Sequence, residues 1–178
     1  MRIISGIYKN KEILTPGTTK THPMGSREKL ALFNMIMPFL PSKTVLDAFS
    51  GSGALGLEAL SRGASNVVFI DSDSKSCEII KKNLKNLGEN AENNAKVYKL
   101  PVKKLENPEN SRKIPKVDII FADPPYDNFD LEEVKILLNF LKKGGIFVLS
   151  SPKPVEIEGL TLLKSRKYAG CYISIFVI

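Results

Sequence analysis

The tetrapeptide Asp123-Pro124-Pro125-Tyr126 is the most chemically specific stretch of this 178-residue chain. Two consecutive prolines fix the backbone and remove two N–H groups. What remains is a rigid turn offering carbonyl oxygens between a carboxylate and an aromatic ring. That set suits an exocyclic amine as a nucleophile. The amine's lone pair is delocalised into its base ring, so it attacks poorly. Acceptors at Asp123 and the Pro124 carbonyl would hold its two hydrogens and favour a pyramidal nitrogen. Tyr126 would stack on an extruded base. A sulfonium leaving group would drive such a reaction without a metal.

Two further motifs could hold the donor. Asp47-Ala48-Phe49-Ser50-Gly51-Ser52-Gly53-Ala54-Leu55-Gly56 reads as a strand end, a tight turn and a helix start. Glycines there let a ligand touch backbone. No Lys-Ser/Thr pair follows, so the turn is not a phosphate-gripping P-loop. Asp71 lies 24 positions after Asp47. An acidic residue at that place can accept both hydroxyls of an adenosine ribose, in NAD or in S-adenosylmethionine. The Asp-Pro-Pro-Tyr turn decides for S-adenosylmethionine, because a hydride-transfer enzyme has no use for it.

These motifs need strands to carry them. From Lys43 onward short apolar runs alternate with amphipathic segments: strands at 45–47, 66–70, 96–100, 117–122 and 146–150, and helices at 54–62, 73–87 and 131–141. Asp73 should cap the second of these helices, and Gly88 should end it. Its buried stripe would be Cys77, Ile80, Leu84 and Leu87. Segments 89–95 and 106–115 read as loops, and Lys142-Lys143-Gly144-Gly145 as a helix stop. Residues 160–178 offer two strands around Ala169-Gly170. Continuous apolar strands between amphipathic helices mean a parallel sheet covered on both faces. The expectation is a doubly wound, mostly parallel seven-stranded α/β sheet closed by an antiparallel edge. A β-hairpin turning at Lys9-Asn10-Lys11 and a helix over 27–39 precede it. Ser26 should cap that helix, with Leu30, Phe33, Met37 and Leu40 facing the core.

Composition narrows the partners. Hydrophobic residues make up 43% and charged residues 25%, as in a soluble globular chain. No apolar run approaches the roughly 20 residues needed to span a bilayer, and the opening is no signal peptide, so a cytoplasmic location is expected. Cys77 and Cys171 read as two separate buried thiols, and His22 is the only histidine. A zinc site or a Ser-His-Asp triad is therefore not expected. The balance of 26 Lys+Arg against 19 Asp+Glu points to a polyanionic partner.

Over nearly its whole length the chain resembles the RsmD family of small-subunit ribosomal RNA guanine-N2 methyltransferases. The resemblance is carried by Arg2-Ile3-Ile4-Ser5-Gly6, Ala31-Leu32-Phe33-Asn34, the block from Leu46 to Ala64, and Asp123-Pro124-Pro125-Tyr126. It departs at Thr21-His22-Pro23-Met24, where the family usually reads Thr-Arg-Pro-Thr, and at Pro101, where the family usually has an Asp. The resemblance implies a Rossmann-like class I methyltransferase with an RNA-binding extension over 1–42 and a catalytic domain over 43–178. S-adenosylmethionine would be held by Asp47, Phe49, Gly51, Ser52, Gly53, Asp71 and the Val102 backbone. The reaction would be at Asp123, Pro124, Pro125 and Tyr126. It also implies that the hairpin grips 16S ribosomal RNA beside a flipped guanine, in a partly assembled small subunit. Arg2, Lys9, Lys11 and Arg27 are the expected RNA contacts, and Lys20 and Lys29 add to the same basic run. Two rivals stay open. One is a DNA adenine-N6 or cytosine-N4 methyltransferase, though 178 residues leave little room for a target-recognition region. The other is a non-catalytic RNA-binding assembly factor of the same fold.

Overall fold

The computed structural model describes residues 1–17, 24–168 and 170–178. Lys20 and the Thr21-His22-Pro23 segment lie outside the described residues. The strands are β1 (Thr44–Ala48), β2 (Asn66–Asp71), β3 (Ala95–Lys99), β4 (Val117–Ala122), β5 (Leu141–Ser151), β6 (Thr161–Tyr168) and β7 (Cys171–Val177). The helices are α1 (Ser26–Ile36), α2 (Ala54–Ser61), α3 (Ser74–Leu87), α4 (Glu89–Asn93), α5 (Pro108–Ser111) and α6 (Leu131–Ile136).

All seven strands form one sheet in the order β3-β2-β1-β4-β5-β7-β6. β1 pairs in parallel with both β2 and β4, so the direction of winding reverses between β1 and β4. A crevice opens there at the carboxyl ends of the strands. β7 runs antiparallel to both β5 and β6. The expected doubly wound sheet with an antiparallel edge is therefore the observed architecture. One rung of the register matters for the site. Ile70, Ala48, Ala122 and Leu149 are matched across β2, β1, β4 and β5. The next residue along each chain segment is Asp71, Phe49, Asp123 and Ser150, so these four follow one rung side by side at the carboxyl ends of the central strands.

The core lies on both faces of the sheet. Phe69, Phe121, Ile119 and Val148 meet α1, α2 and α3 on one face, while Phe147, Ile120 and Leu137 fill the other. Ile3 and Ile13 of the amino-terminal segment are buried in the first of these clusters, together with Leu32, Phe33, Ile36 and Leu40. Burying each such side chain contributes about 1.5–3 kcal/mol. Among the described residues no helix is long and apolar enough to cross a membrane.

Several elements differ from expectation. The hairpin has a single antiparallel bridge, Arg2 to Glu12, and its reversal is two successive tight turns, closed by the Lys9 N–H on the Gly6 carbonyl and, at the expected place, by the Lys11 N–H on the Tyr8 carbonyl. Asn10 does adopt the left-handed conformation (φ +69°). The chain bends early because Gly6 (φ +88°) lies against the Ser61 carbonyl, which an added Cβ would approach to 1.8 Å. Gly25, not Ser26, caps α1, and the Ser26 side chain makes no capping bond. The helix is also rotated from the expected stripe. Leu30 and Met37 are exposed, whereas Lys29, Leu32, Phe33 and Ile36 face inward. The cause is Glu58 of α2, which draws the Lys29 ammonium into the core at 3.3 Å. The expected loops at 89–95 and 106–115 contain α4 and α5. Asn107 caps α5 by accepting from the Glu109 N–H, with Pro108 in the first helical position. Finally, α6 stops at Ile136 and passes through a 3-10 turn (Leu137–Phe140) into β5. Lys142 to Gly145 therefore begin a strand instead of ending a helix, with Gly144 at φ +73° where the register with β4 shifts.

Candidate active site

The turn after β1 is built from left-handed residues: Phe49 (φ +58°), Gly51 (φ +55°) and Gly53 (φ +77°). An L-residue rarely adopts this conformation, so Phe49 is a local outlier that its surroundings must enforce. Ser50 supplies part of that. Its hydroxyl lies 2.6 Å from the Asp47 carbonyl and accepts the Ile70 N–H at 3.0 Å, tying the turn to β2. A Cβ added at Gly51 would meet nothing within 4 Å, so the turn presents bare backbone to open space. Gly53 and Gly56 serve packing instead. A Cβ at Gly56 would come within 2.3 Å of the Phe69 ring.

Three carboxylates converge around this turn. Asp47 is 2% exposed and accepts the Gly56 N–H at 2.8 Å, fixing the start of α2. Burial raises its pKa well above the usual carboxylate range, and the nearby Asp123 and Asp71 charges push the same way. Asp71 accepts the Gly51 N–H at 2.7 Å on one oxygen and the Asp73 N–H at 2.8 Å on the other. Burial raises its pKa too, against those two bonds. Each oxygen keeps a lone pair. Asp123 is half-buried, and burial pushes its pKa up to about 6, while hydrogen bonds from Ser150 and Tyr126 act against that rise. The Tyr126 hydroxyl is itself bonded to Ser150 Oγ. Burial and the Asp123 charge raise the phenol pKa further above its ordinary value.

One cavity of about 740 Å³ takes in these groups. Asp47, Phe49, Gly51, Ser52, Asp71, Val102, Asp123, Pro124, Pro125 and Tyr126 all line it. Gly53 does not; its Cβ position faces Ile80 and Phe69. Pro101 lines the cavity beside Val102. Arg2, Lys9, Lys11 and Arg27 stand outside it. Arg2 is paired with Glu12 at 3.1 Å. The Ile7 and Tyr8 N–H groups bond to Ser61, at the end of α2 remote from the glycine turn. That puts the Lys9–Lys11 reversal about one helix length, roughly 12 Å, from the glycine turn. Lys29, counted among the outward cations, is 1% exposed and paired with Glu58. Burial lowers its pKa against the pull of Glu58.

Sequence reasoning missed Ser50, Ser150 and Lys29. Ser50 sits inside the glycine motif, where its place after a left-handed residue is a usable signal. Ser150 is 1% exposed at the end of a strand, and nothing local marks its partner Tyr126. Cys77 is buried as expected; Cys171 is only half-buried.

A parallel sheet reversing between β1 and β4, with a glycine turn and a carboxylate at the reversal, defines a Rossmann-like methyltransferase fold. The chain belongs to the RsmD family: the model of the family described as "Conserved hypothetical protein 95" matches residues 1–177. It is 34% identical to the Ribosomal RNA small subunit methyltransferase D of Haemophilus influenzae, over 93% of this chain and 88% of that protein. The protein of the same name from Escherichia coli K12 is 33% identical over 82% of this chain and 68% of its own length. Among solved structures, the Escherichia coli yhhF chain superimposes with a TM-score of 0.84 at 29% identity, covering 99% of this chain and 96% of that one. SMU.776 complexed with SAH shares the fold at 16% identity, with a TM-score of 0.70 over 96% of this chain and 52% of that one.

Proposed function

We propose that this protein transfers a methyl group from S-adenosylmethionine to the exocyclic N2 amine of a guanine in 16S ribosomal RNA, acting in the cytoplasm on a partly assembled small subunit. The observation that carries this reading is the adjacency of Asp71, the bare Gly51 backbone and Asp123-Pro124-Pro125-Tyr126 around one cavity. The names of the relatives support the ribosomal RNA substrate.

The residues present fit the cofactor. The free lone pairs of Asp71 suit ribose hydroxyls, and the open space at Gly51 admits a ligand against backbone. Leu100 and Val102 offer apolar surface for a base ring. Asp71 and Asp123 both push the buried Asp47 toward its protonated form, so a cationic ligand here would meet carboxyl groups and, among the described residues of the lining, no opposing cation but Lys29 and Lys75. When bound, S-adenosylmethionine supplies a methyl group activated by its sulfonium charge. Asp123 and the Pro124 carbonyl accept the hydrogens of the target amine and orient its lone pair. With a pKa of about 6, Asp123 is also placed to take up the proton released from the amine. Ser150 holds the Tyr126 hydroxyl, which fixes the ring as a stacking surface for an extruded base. Arg2, Lys9, Lys11 and Arg27 are read as phosphate contacts, with Arg27 in the first turn of α1 near cavity-lining Met24 and Lys29.

The test is a base-resolved methylation map of 16S ribosomal RNA and of partly assembled small subunits after incubation with the protein and S-adenosylmethionine. One N2-methylated guanine is expected. Methylation at adenine or cytosine would overturn the guanine assignment, and no methylation would overturn the reading.

A further inference from the structure

The catalytic rung does not end at β5. Ser150 pairs with Ile173 of β7, and Ile173 pairs with Arg166 of β6. Cross-strand partners share a face of the sheet. Arg166 therefore lies on the same rung and face as Ser150, two strand spacings or about 10 Å away. The adjoining rung runs from Ser151 through Tyr172 to Lys167. Lys167 stands over the Tyr172 ring at 5.7 Å.

β6 is the sheet's edge strand, and its residues from Thr161 to Lys167 are exposed on both faces. It buries almost nothing, so core packing does not account for its composition. No acidic residue occurs after Glu158, while Lys164, Arg166 and Lys167 fall within the strand. Among the described residues, ion pairs take up Arg2, Lys29, Lys43, Arg62, Lys135 and Lys142 but none of these three. Lysines on an edge strand also discourage pairing with other chains. That role does not require a cation, Arg166, on the rung of Ser150.

Building on the proposed function, we infer that the exposed edge of β6, with Lys164 and Arg166 on the face of Ser150 and Lys167 beside Tyr172 on the other, forms a ledge for the single-stranded RNA backbone flanking the target nucleotide. Three cations outside any ion pair among the described residues, at the edge of the sheet that carries the catalytic turn, complement phosphates that run away from an extruded base. The half-buried Tyr172 ring adds a surface on which a neighbouring base can stack. Arg166 lies three strand spacings, roughly 14 Å, from the strand that ends at Asp123, a distance spanned by a few nucleotides of single-stranded backbone.

The test compares wild type, the K164E/R166E/K167E variant and the K9A/K11A variant. The glutamates keep the edge charged against self-pairing but repel phosphate. Binding to 16S ribosomal RNA and to partly assembled small subunits is read by anisotropy across salt concentrations, with S-adenosylmethionine affinity by calorimetry as the control. The β6 variant should bind RNA roughly tenfold or more weakly. Its salt slope should flatten by about 2 for three single-strand contacts. KM for RNA should rise more than kcat falls, and cofactor affinity should not change. Unchanged RNA affinity and salt slope would overturn the ledge, and would do so equally if the variant altered only the oligomeric state. Binding is read independently of methylation. A wild type that methylates ribosomal RNA while the β6 variant binds it equally well sinks the ledge alone; a wild type that methylates no RNA sinks the proposed function.

Discussion

Burial holds the Asp123 carboxyl at a pKa of about 6, against an ordinary value of 3.8. Asparagine at this position keeps the shape and an acceptor oxygen but cannot ionise. In the unfolded chain Asp123 ionises near its ordinary value, and in the folded protein only as the pH passes about 6. Its contribution to stability is thus fully present below pH 4 and is lost as the pH rises through 6. A difference of about two pKa units corresponds to about 3 kcal/mol. That is an upper value here, because the side chain is only half-buried. In a chain of this size 1 kcal/mol moves Tm by about 2–4 °C, so Asp123→Asn should raise the Tm of the cofactor-free protein by up to roughly 6–12 °C at pH 8. The gain should shrink between pH 6 and 4 and vanish below that. Activity should move the other way. Losing a charged hydrogen-bond acceptor worth about 1.5–3 kcal/mol in the transition state slows single turnover roughly 10- to 150-fold. Thermal and urea denaturation from pH 4 to 8, alongside single-turnover rates, measure both. A variant whose Tm offset does not change with pH, or is negative at pH 8, refutes the burial argument. A near-wild-type rate refutes the catalytic one.

Wild-type kcat/KM should rise as the pH passes about 6, where Asp123 ionises, and Asp123→Asn should lack that limb in a pH–rate profile. Asp71→Ala should weaken S-adenosylmethionine binding by about 1.5–3 kcal/mol for each ribose hydrogen bond lost, measured by calorimetry, with no binding of NAD; undiminished affinity would contradict the ribose role. Gly56→Ala should destabilise by about 1–3 kcal/mol in urea denaturation, since its methyl group must displace the Phe69 ring. Glu58→Gln should cost about 3–5 kcal/mol by leaving Lys29 and Arg62 without their buried counter-charge; a loss under 1 kcal/mol would show that both cations reach water.

What was legible followed from local pattern. β4 occupies the expected 117–122 because a run apolar but for Asp118, near its start, has one place in a parallel sheet. Asp73 caps α3 and Gly88 ends it as their residue types dictate. The cavity lining was legible because its motifs are contiguous and lie just after strands. What failed depended on partners distant in sequence. Lys29 looks like a surface cation until Glu58, on another helix, draws it inside. The place of the Lys9–Lys11 turn, fastened at Ser61 by the Ile7 and Tyr8 N–H groups, could not be read from the hairpin alone. Ser150 acquires meaning only when β5 is laid beside β4. The 3-10 exit from α6 was hidden because Gly144 and Gly145 mark a register shift within a strand as readily as a helix stop.

The Glu58 carboxylate accepts the N–H groups of Ile4 and Ser5 at 2.8 and 3.1 Å, across 54 and 53 positions of chain. Segments distant along the chain are thus fastened to one carboxylate, and without a docked α2 the side chains of Ile3 and Ile13 have no core to enter. The same carboxylate is the buried counter-charge of both Lys29 and Arg62. The arm over residues 1–5 is therefore also the cover of a charged knot: Glu58 is wholly buried, and removing the arm would strip two of its N–H partners and open Lys29, Arg62 and Glu58 to water.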